Sequence, residues 1–252
     1  LREQAVFLIA QNMEDEAVDI LLDLAHRDPD PNPEIREAAV FWLSQVQVPE
    51  AMDALQAILR ESDDPEIQEN AIFAIAQQDD PESLEILRGF AERDGLSVEL
   101  RENVIFWIGQ KRGGGEYLRS LWNRVRDPEL KESILFGVAQ EHSAANRAWL
   151  VERAMDQNED PEVRENAIFW AGQAGAFTIQ ELRDLFGAFQ DPELKEQVIF
   201  VASQRGDTEA VDFLMEIAED EENGEIREQA IFWLGQSDDP RVPEFLLRII
   251  GR

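Results

Sequence analysis

Cysteine is absent from this 252-residue chain, which excludes disulfides, thiolate nucleophiles and cysteine-held metals. Histidine is nearly absent: His26 and His142 lie in different segments, and each reads as a surface residue near a helix end rather than a ligand. Positive charge is scarce. Lys and Arg together number 23 against 54 Asp and Glu, for a net charge of −31, and the lysines are Lys111, Lys131 and Lys195 alone. That balance excludes nucleic acid and anionic lipid surfaces as partners, since both need clustered cations. It leaves two readings of the acidity: adaptation to high salt, or selection for a basic partner. No apolar run is long enough to span a membrane, and no signal-peptide pattern stands at the start. The first residue, Leu1, already falls inside a motif, so the sequence is expected to be truncated at one or both ends. Its compartment stays open between cytoplasmic and exported.

What the chain has instead is one motif written eight times. Phe7, Phe41, Phe73, Phe106, Phe136, Phe169, Phe200 and Phe232 recur every 30 to 34 residues. Four residues before each stands a glutamate (Glu3, Glu37, Glu69, Glu102, Glu132, Glu165, Glu196, Glu228). Four residues after each stands a glutamine (Gln11, Gln45, Gln77, Gln110, Gln140, Gln173, Gln204, Gln236). A fixed period of this length predicts stacked repeats rather than one closed globular core. With 44% hydrophobic residues and no break in composition, residues 1–252 read as a single repeat domain.

Each motif begins like a helix. Asn32, Asp64, Ser97, Asp127, Asp160, Asp191 and Asn223 stand nine residues before the Phe, where a side-chain oxygen can accept from the first-turn amides. Proline follows in most repeats (Pro33, Pro65, Pro128, Pro161, Pro192), where its missing N–H costs nothing. A glutamate comes next, favourable at the positive end of the helix dipole. Between motifs lie further amphipathic stretches, such as Glu16 to Ala25, Met52 to Leu59, Ser83 to Phe90, Leu118 to Val125 and Ala210 to Ile217. The spacing therefore predicts about sixteen helices in pairs and no strands. Gly113-Gly114-Gly115 and Asp28-Pro29-Asp30-Pro31 read as connecting loops.

The run Asp160-Pro161-Glu162-Val163-Arg164, then Ala167-Ile168 and Ala171-Gly172, resembles the HEAT repeat. It is most similar to the short bacterial HEAT-like repeats of the phycobilisome-lyase type, and the resemblance covers essentially the whole chain. It implies an all-α fold: an α-solenoid, a right-handed superhelix of antiparallel helix pairs with the motif helices on the concave face. The basic residue five before the Phe (Arg36, Arg101, Lys131, Arg164, Lys195, Arg227) falls at the family's inter-repeat hydrogen-bonding position. Gln68 interrupts that row and is expected to weaken one junction.

At about 100° per residue, the positions six before, two before and two after the Phe share the core direction. Val163, Ala167 and Ala171 are one such set; Ile226, Ala230 and Leu234 are another. The Phe lies roughly 150° away, between its Glu and Gln. In the resembled family this position faces solvent, so the resemblance implies a row of Phe, Glu and Gln along the concave groove. Its centre comprises Phe41, Phe73, Phe106, Phe136, Phe169 and Phe200, with Glu69, Glu102, Glu132, Glu165, Gln77, Gln110, Gln140 and Gln173. Two uses are open. The row can bind a partner, as exposed apolar patches tend to, or it can be a Glu–Gln ladder that stacks repeats. Trp42, Trp107, Trp170 and Trp233 follow the Phe in alternate repeats, against Leu8, Ala74, Gly137 and Val201 in the others. This alternation reads as large-and-small core packing.

No catalytic constellation emerges. Gly113-Gly114-Gly115 follows a helix and lacks the Lys-Ser or Lys-Thr of a phosphate loop, and no nucleophile elbow is present. Some HEAT-repeat hydroxylases hold iron on repeated His-Glu pairs; this chain contains no His-Glu dipeptide. Asp28, Asp30 and Asn32 have the alternate spacing of a calcium loop, but Pro33 stands where glycine is needed. The expectation is a non-enzymatic scaffold or adaptor, without metal or cofactor. It would bind a protein or peptide, a basic one being favoured by charge. The alternatives are a phycobilin-lyase-like or chaperone-like chromophore-handling protein, implied by the resemblance alone, and an architectural segment of a larger protein.

Overall fold

The computed structural model describes residues 1–12, 14–27, 29–46, 48–78 and 81–250. Among them every regular element is helical. The chain divides into two compact units, Leu1–Glu141 and His142–Arg252, and each is an α-solenoid.

In the first unit the motif helices are α1 (Arg2–Asn12), α3 (Pro33–Leu43), α5 (Pro65–Ala76), α7 (Val98–Gln110) and α9 (Pro128–Gln140). Each packs beside the next. The alternating helices are α2 (Glu14–Leu22, running on into a π-helical turn to Arg27), α4 (Pro49–Glu61), α6 (Pro81–Ala91) and α8 (Gly114–Leu121). The second unit has motif helices α11 (Pro161–Gln173), α13 (Pro192–Ser203) and α15 (Gly224–Leu234). They alternate with α10 (Ala144–Met155), α12 (Ile179–Ala188), α14 (Thr208–Asp220) and α16 (Val242–Ile250). No described helix is long and apolar enough to cross a membrane.

The local signals act where the motif sets them. Asn32, Asp64, Asp127, Asp160, Asp191 and Asn223 each accept from the amide two residues on, and Ser97 accepts from Leu100 N. Such caps contribute about 1 kcal/mol each. The three core positions of the motif helices from α3 onward are buried: Ile35, Ala39 and Leu43 in α3, and Leu100, Val104 and Ile108 in α7, for example. Burying each Ile, Leu or Val contributes roughly 1.5–3 kcal/mol. Summed across stacked helices, this is what holds the array together.

Repeats are also tied by cations from the row five before the Phe. The Arg36 guanidinium pairs with Asp64 of the next repeat at 2.9 Å, and Lys195 pairs with Glu221 at 2.9 Å. The interruption at Gln68 proves to be bridged. Its amide donates to Leu59 O, and Arg93 of the following repeat reaches Leu59 O and Arg60 O. One loop expectation also changes. Gly114 and Gly115 lie inside α8 rather than in a loop, and Gly114 lies so close to Ile108 that a Cβ would overlap the Ile108 carbonyl oxygen, which requires glycine there. Asp28 of the calcium-like spacing lies outside the described residues. The Asp30 carboxylate accepts from Arg2 and from Asn32 N, so structural contacts occupy it.

Candidate functional site

The motif-helix face carries a ribbon of aromatic rings. In the first unit Trp42 lies between Phe7 and Phe41, at 4.9 and 5.0 Å. Trp107 lies between Phe73 and Phe106, at 5.4 and 5.0 Å, and Phe106 then stacks on Phe136 at 5.8 Å and 5°. In the second unit Trp170 lies edge-on to Phe169, Phe169 stacks on Phe200 at 6.1 Å, and Trp233 sits between Phe200 and Phe232. The rings thus meet in two ways, through a Trp or face to face. Where the residue after the Phe is Trp, its indole fills the gap between repeats. At Gly137 and Val201, which take the Trp position in their repeats, the preceding motif helix presents a glycine and packs closely. A Cβ on Gly109 would stand 2.6 Å from Gly137 Cα, and one on Gly172 would stand 2.7 Å from Val201 Cγ1. Those two approaches are where the Phe rings stack face to face.

This arrangement corrects the core assignment of the tryptophans. Trp42, Trp107, Trp170 and Trp233 are half-buried members of the ribbon. The Phe rings are neither bare nor buried. Phe41, Phe73 and Phe106 are 49%, 43% and 38% exposed, whereas Phe136, Phe169 and Phe200 are half-buried, covered in part by stacking. The Glu–Gln ladder is absent: among the described residues no hydrogen bond joins a motif Gln to a motif Glu. An inter-repeat bond at a motif glutamate runs instead from Ser133 Oγ to Glu102 Oε1 at 3.4 Å. Gln77, Gln110, Gln140 and Gln173 stand exposed at the C-terminal ends of their helices. Gln204 and Gln236 line a recess of their own around Gly206. The triplet therefore separates into a Phe/Glu floor and a Gln rim.

Two adjoining recesses open on this face of the second unit. One, of about 510 Å3, is lined by Glu165, Glu193, Glu196, Phe200, Gln229 and Trp233. The other, of about 480 Å3, shares Glu196 and Gln229 and adds Glu225, Glu228 and Phe232. Two residue classes here were read for other roles in the sequence, the Trp as core and the helix-start glutamates Glu193 and Glu225 as helix-dipole partners, whereas Gln229, three before the Phe, stands where the pattern borders the groove. The helix-start glutamate recurs in seven of the eight motifs (Glu34, Glu66, Glu99, Glu129, Glu162, Glu193, Glu225). Only the depth of the groove brings them to the Phe.

The electrostatics of the face are one-sided. Burial, and then the carboxylates of Glu193, Glu162, Asp191 and Glu196, raise the Glu165 carboxyl above its ordinary range. Burial and Glu129 do the same to Glu102, against the hydrogen bond from Ser133 that lowers it. Among the described residues none of Glu69, Glu102, Glu132, Glu165, Glu196 and Glu228 enters an ion pair. The described pairs use acids elsewhere, such as Asp64, Glu92, Glu216 and Asp212. Cations over rings follow the same division: Arg88 on Tyr117, Arg164 on Phe189, Lys195 on Phe186 and Arg183 on Phe213 all lie off the ribbon. Among the described residues no group of His, Asp and Glu is arranged to hold a metal.

The family profile for HEAT repeats matches residues 1–64, 18–105, 147–234 and 179–252. This chain belongs to the HEAT-repeat family. It is accordingly a helical repeat scaffold, and the phycobilisome-lyase subtype is not singled out by the match. Among solved structures the HEAT-repeat chain is similar to human deoxyhypusine hydroxylase in complex with glycerol, at 18% identity. That match covers 93% of this chain and 96% of the other, with a TM-score of 0.42. It is also similar to YibA of Escherichia coli at 19% identity, covering 90% of this chain and 86% of the other, with a TM-score of 0.48. No match was found among the curated proteins.

Proposed function

We propose that residues 1–252 act as a non-enzymatic interaction scaffold that takes a protein or peptide segment along the motif-helix face. The observation that carries this reading is the aromatic ribbon itself. Phe41, Phe73, Phe106 and Phe232 keep between 38% and 56% of their surface in water, at positions where a polar residue would satisfy the helix equally well. Exposed rings in rows mark interaction surfaces, and a grooved face of parallel helices suits a bound helix or extended chain. The exposed glutamines at the helix ends add amide donors and acceptors at the rim.

The test is selection of linear peptides from a display library on the intact chain, followed by binding to variants. Selected peptides should lose roughly tenfold or more in affinity on Phe106→Gln or Phe200→Gln, as central aromatic anchors do. They should bind Asp184→Asn, on α12, unchanged. Peptides that bind the two Phe variants as well as the parent would refute a role for this face.

A further inference from the structure

Resting on the scaffold reading, we infer that the two adjoining recesses of the second unit receive consecutive cationic side chains of one peptide segment, guanidinium in preference to ammonium. Each recess joins a ring to several carboxylates: Phe200 and Trp233 with Glu165, Glu193 and Glu196 in one, Phe232 with Glu225 and Glu228 in the other. A cation over an aromatic face gains from the ring quadrupole, and a neighbouring carboxylate adds a charge-assisted hydrogen bond. The planar guanidinium does both at once and is the less strongly hydrated of the two cations.

The molecule's own bookkeeping of charge points the same way. Two motif-helix cations of this unit, Arg164 and Lys195, turn away from this face. Arg164 lies 4.9 Å from the Phe189 ring centroid, and Lys195 lies 4.7 Å from that of Phe186 while pairing with Glu221. The second unit thus satisfies rings and acids elsewhere with its own basic residues. Among the described residues it leaves Phe200, Phe232 and Trp233 with no cation and Glu165, Glu196 and Glu228 with no ion pair. The carboxylates at Glu165 are held against one another's repulsion, and an arriving cation relieves it. A second copy of the chain, at −31, is the wrong sign for this surface. Sharing of Glu196 and Gln229 makes the recesses adjoin, so a single segment can fill both.

The probes are N-acetylated, C-amidated hexaarginine, hexalysine and hexacitrulline, titrated by calorimetry into the full chain at 150 mM salt. Hexaarginine is expected to bind tightest, hexalysine about tenfold weaker, and the uncharged hexacitrulline not measurably. The double variant Glu165→Gln/Glu196→Gln removes like-charge repulsion, so it should fold at least as well as the parent. It is expected to weaken hexaarginine about tenfold, whereas the equal charge change Glu209→Gln/Glu244→Gln, on α14 and α16, changes it less than about twofold. Trp233→Leu should bring hexaarginine down to the hexalysine level. Equal losses in both double variants, or equal affinity for hexaarginine and hexalysine, would overturn the inference. Neutral library peptides that still depend on Phe200 would also overturn it while leaving the scaffold reading intact; independence from Phe200 would remove both.

Discussion

Replacing Phe106 by alanine tests how the ribbon is held. Its ring is 38% exposed and touches Trp107 at 5.0 Å and Phe136 at 5.8 Å. Full burial of a phenylalanine contributes roughly 1.5–3 kcal/mol, and about three-fifths of that is at stake here. The two ring contacts add roughly 0.5–1.5 kcal/mol. The vacated space opens to water, so no cavity penalty follows, and the expected loss is about 1.5–3 kcal/mol. Ile105, its sequence neighbour, is fully buried, and Ile105→Ala should cost roughly 2–5 kcal/mol, toward the upper end because the site is enclosed. Phe73 has one ribbon contact, with Trp107, and its replacement should cost about 1–2 kcal/mol. A double-mutant cycle of Phe106 with Phe136 should return a coupling of roughly 0.5–1.5 kcal/mol. The assay is urea unfolding followed by far-UV circular dichroism and by tryptophan fluorescence, with coincident transitions required. A Phe106→Ala loss equal to that of Ile105→Ala, or a coupling near zero, would refute a half-exposed stacked ribbon.

Three further outcomes follow from other features. Gly109→Ala sets a methyl 2.6 Å from Gly137 Cα; it should cost about 1–3 kcal/mol in the same unfolding assay, and a neutral result would deny the close approach of α7 and α9. Glu102 and Glu165 have folded-state pKa values raised above 4.5, so the folded state holds their protons more tightly than the unfolded one. These two groups therefore destabilise the fold at neutral pH, and that penalty is relieved as pH falls through the raised values. Glu102→Gln/Glu165→Gln should accordingly raise the melting temperature at pH 7 and lose this advantage near pH 4; a lower melting temperature at pH 7 would contradict it. With a net charge of −31, added salt should raise the melting temperature by screening self-repulsion; a fall between 10 and about 200 mM salt would show that the exposed ion pairs outweigh it.

What the sequence determined by itself was everything set by neighbours along the chain. Caps at Asn32, Asp64 and Asp191 act within two residues, the Pro that follows sets φ locally, and the core positions follow from the turn of a single helix. These interactions need no partner from elsewhere, so period, helix starts, core face and the HEAT-repeat architecture were legible before any coordinates. The groove was legible only in outline, because the wheel gives a direction and not a neighbour. Whether Trp107 enters the core or the ribbon depends on Phe73, a repeat away in sequence. Whether Phe106 stacks on Phe136 depends on the Gly109–Gly137 approach. Gln68 looked like a weak junction until Arg93 reached Leu59 from the next repeat. The acids told the same way: every motif carries glutamates, but only packing showed which ones the basic residues neutralise and which they leave facing the groove. Tertiary structure decided these points because each turns on a contact of a few ångströms between helices about thirty residues apart, a distance that a repeating pattern does not encode.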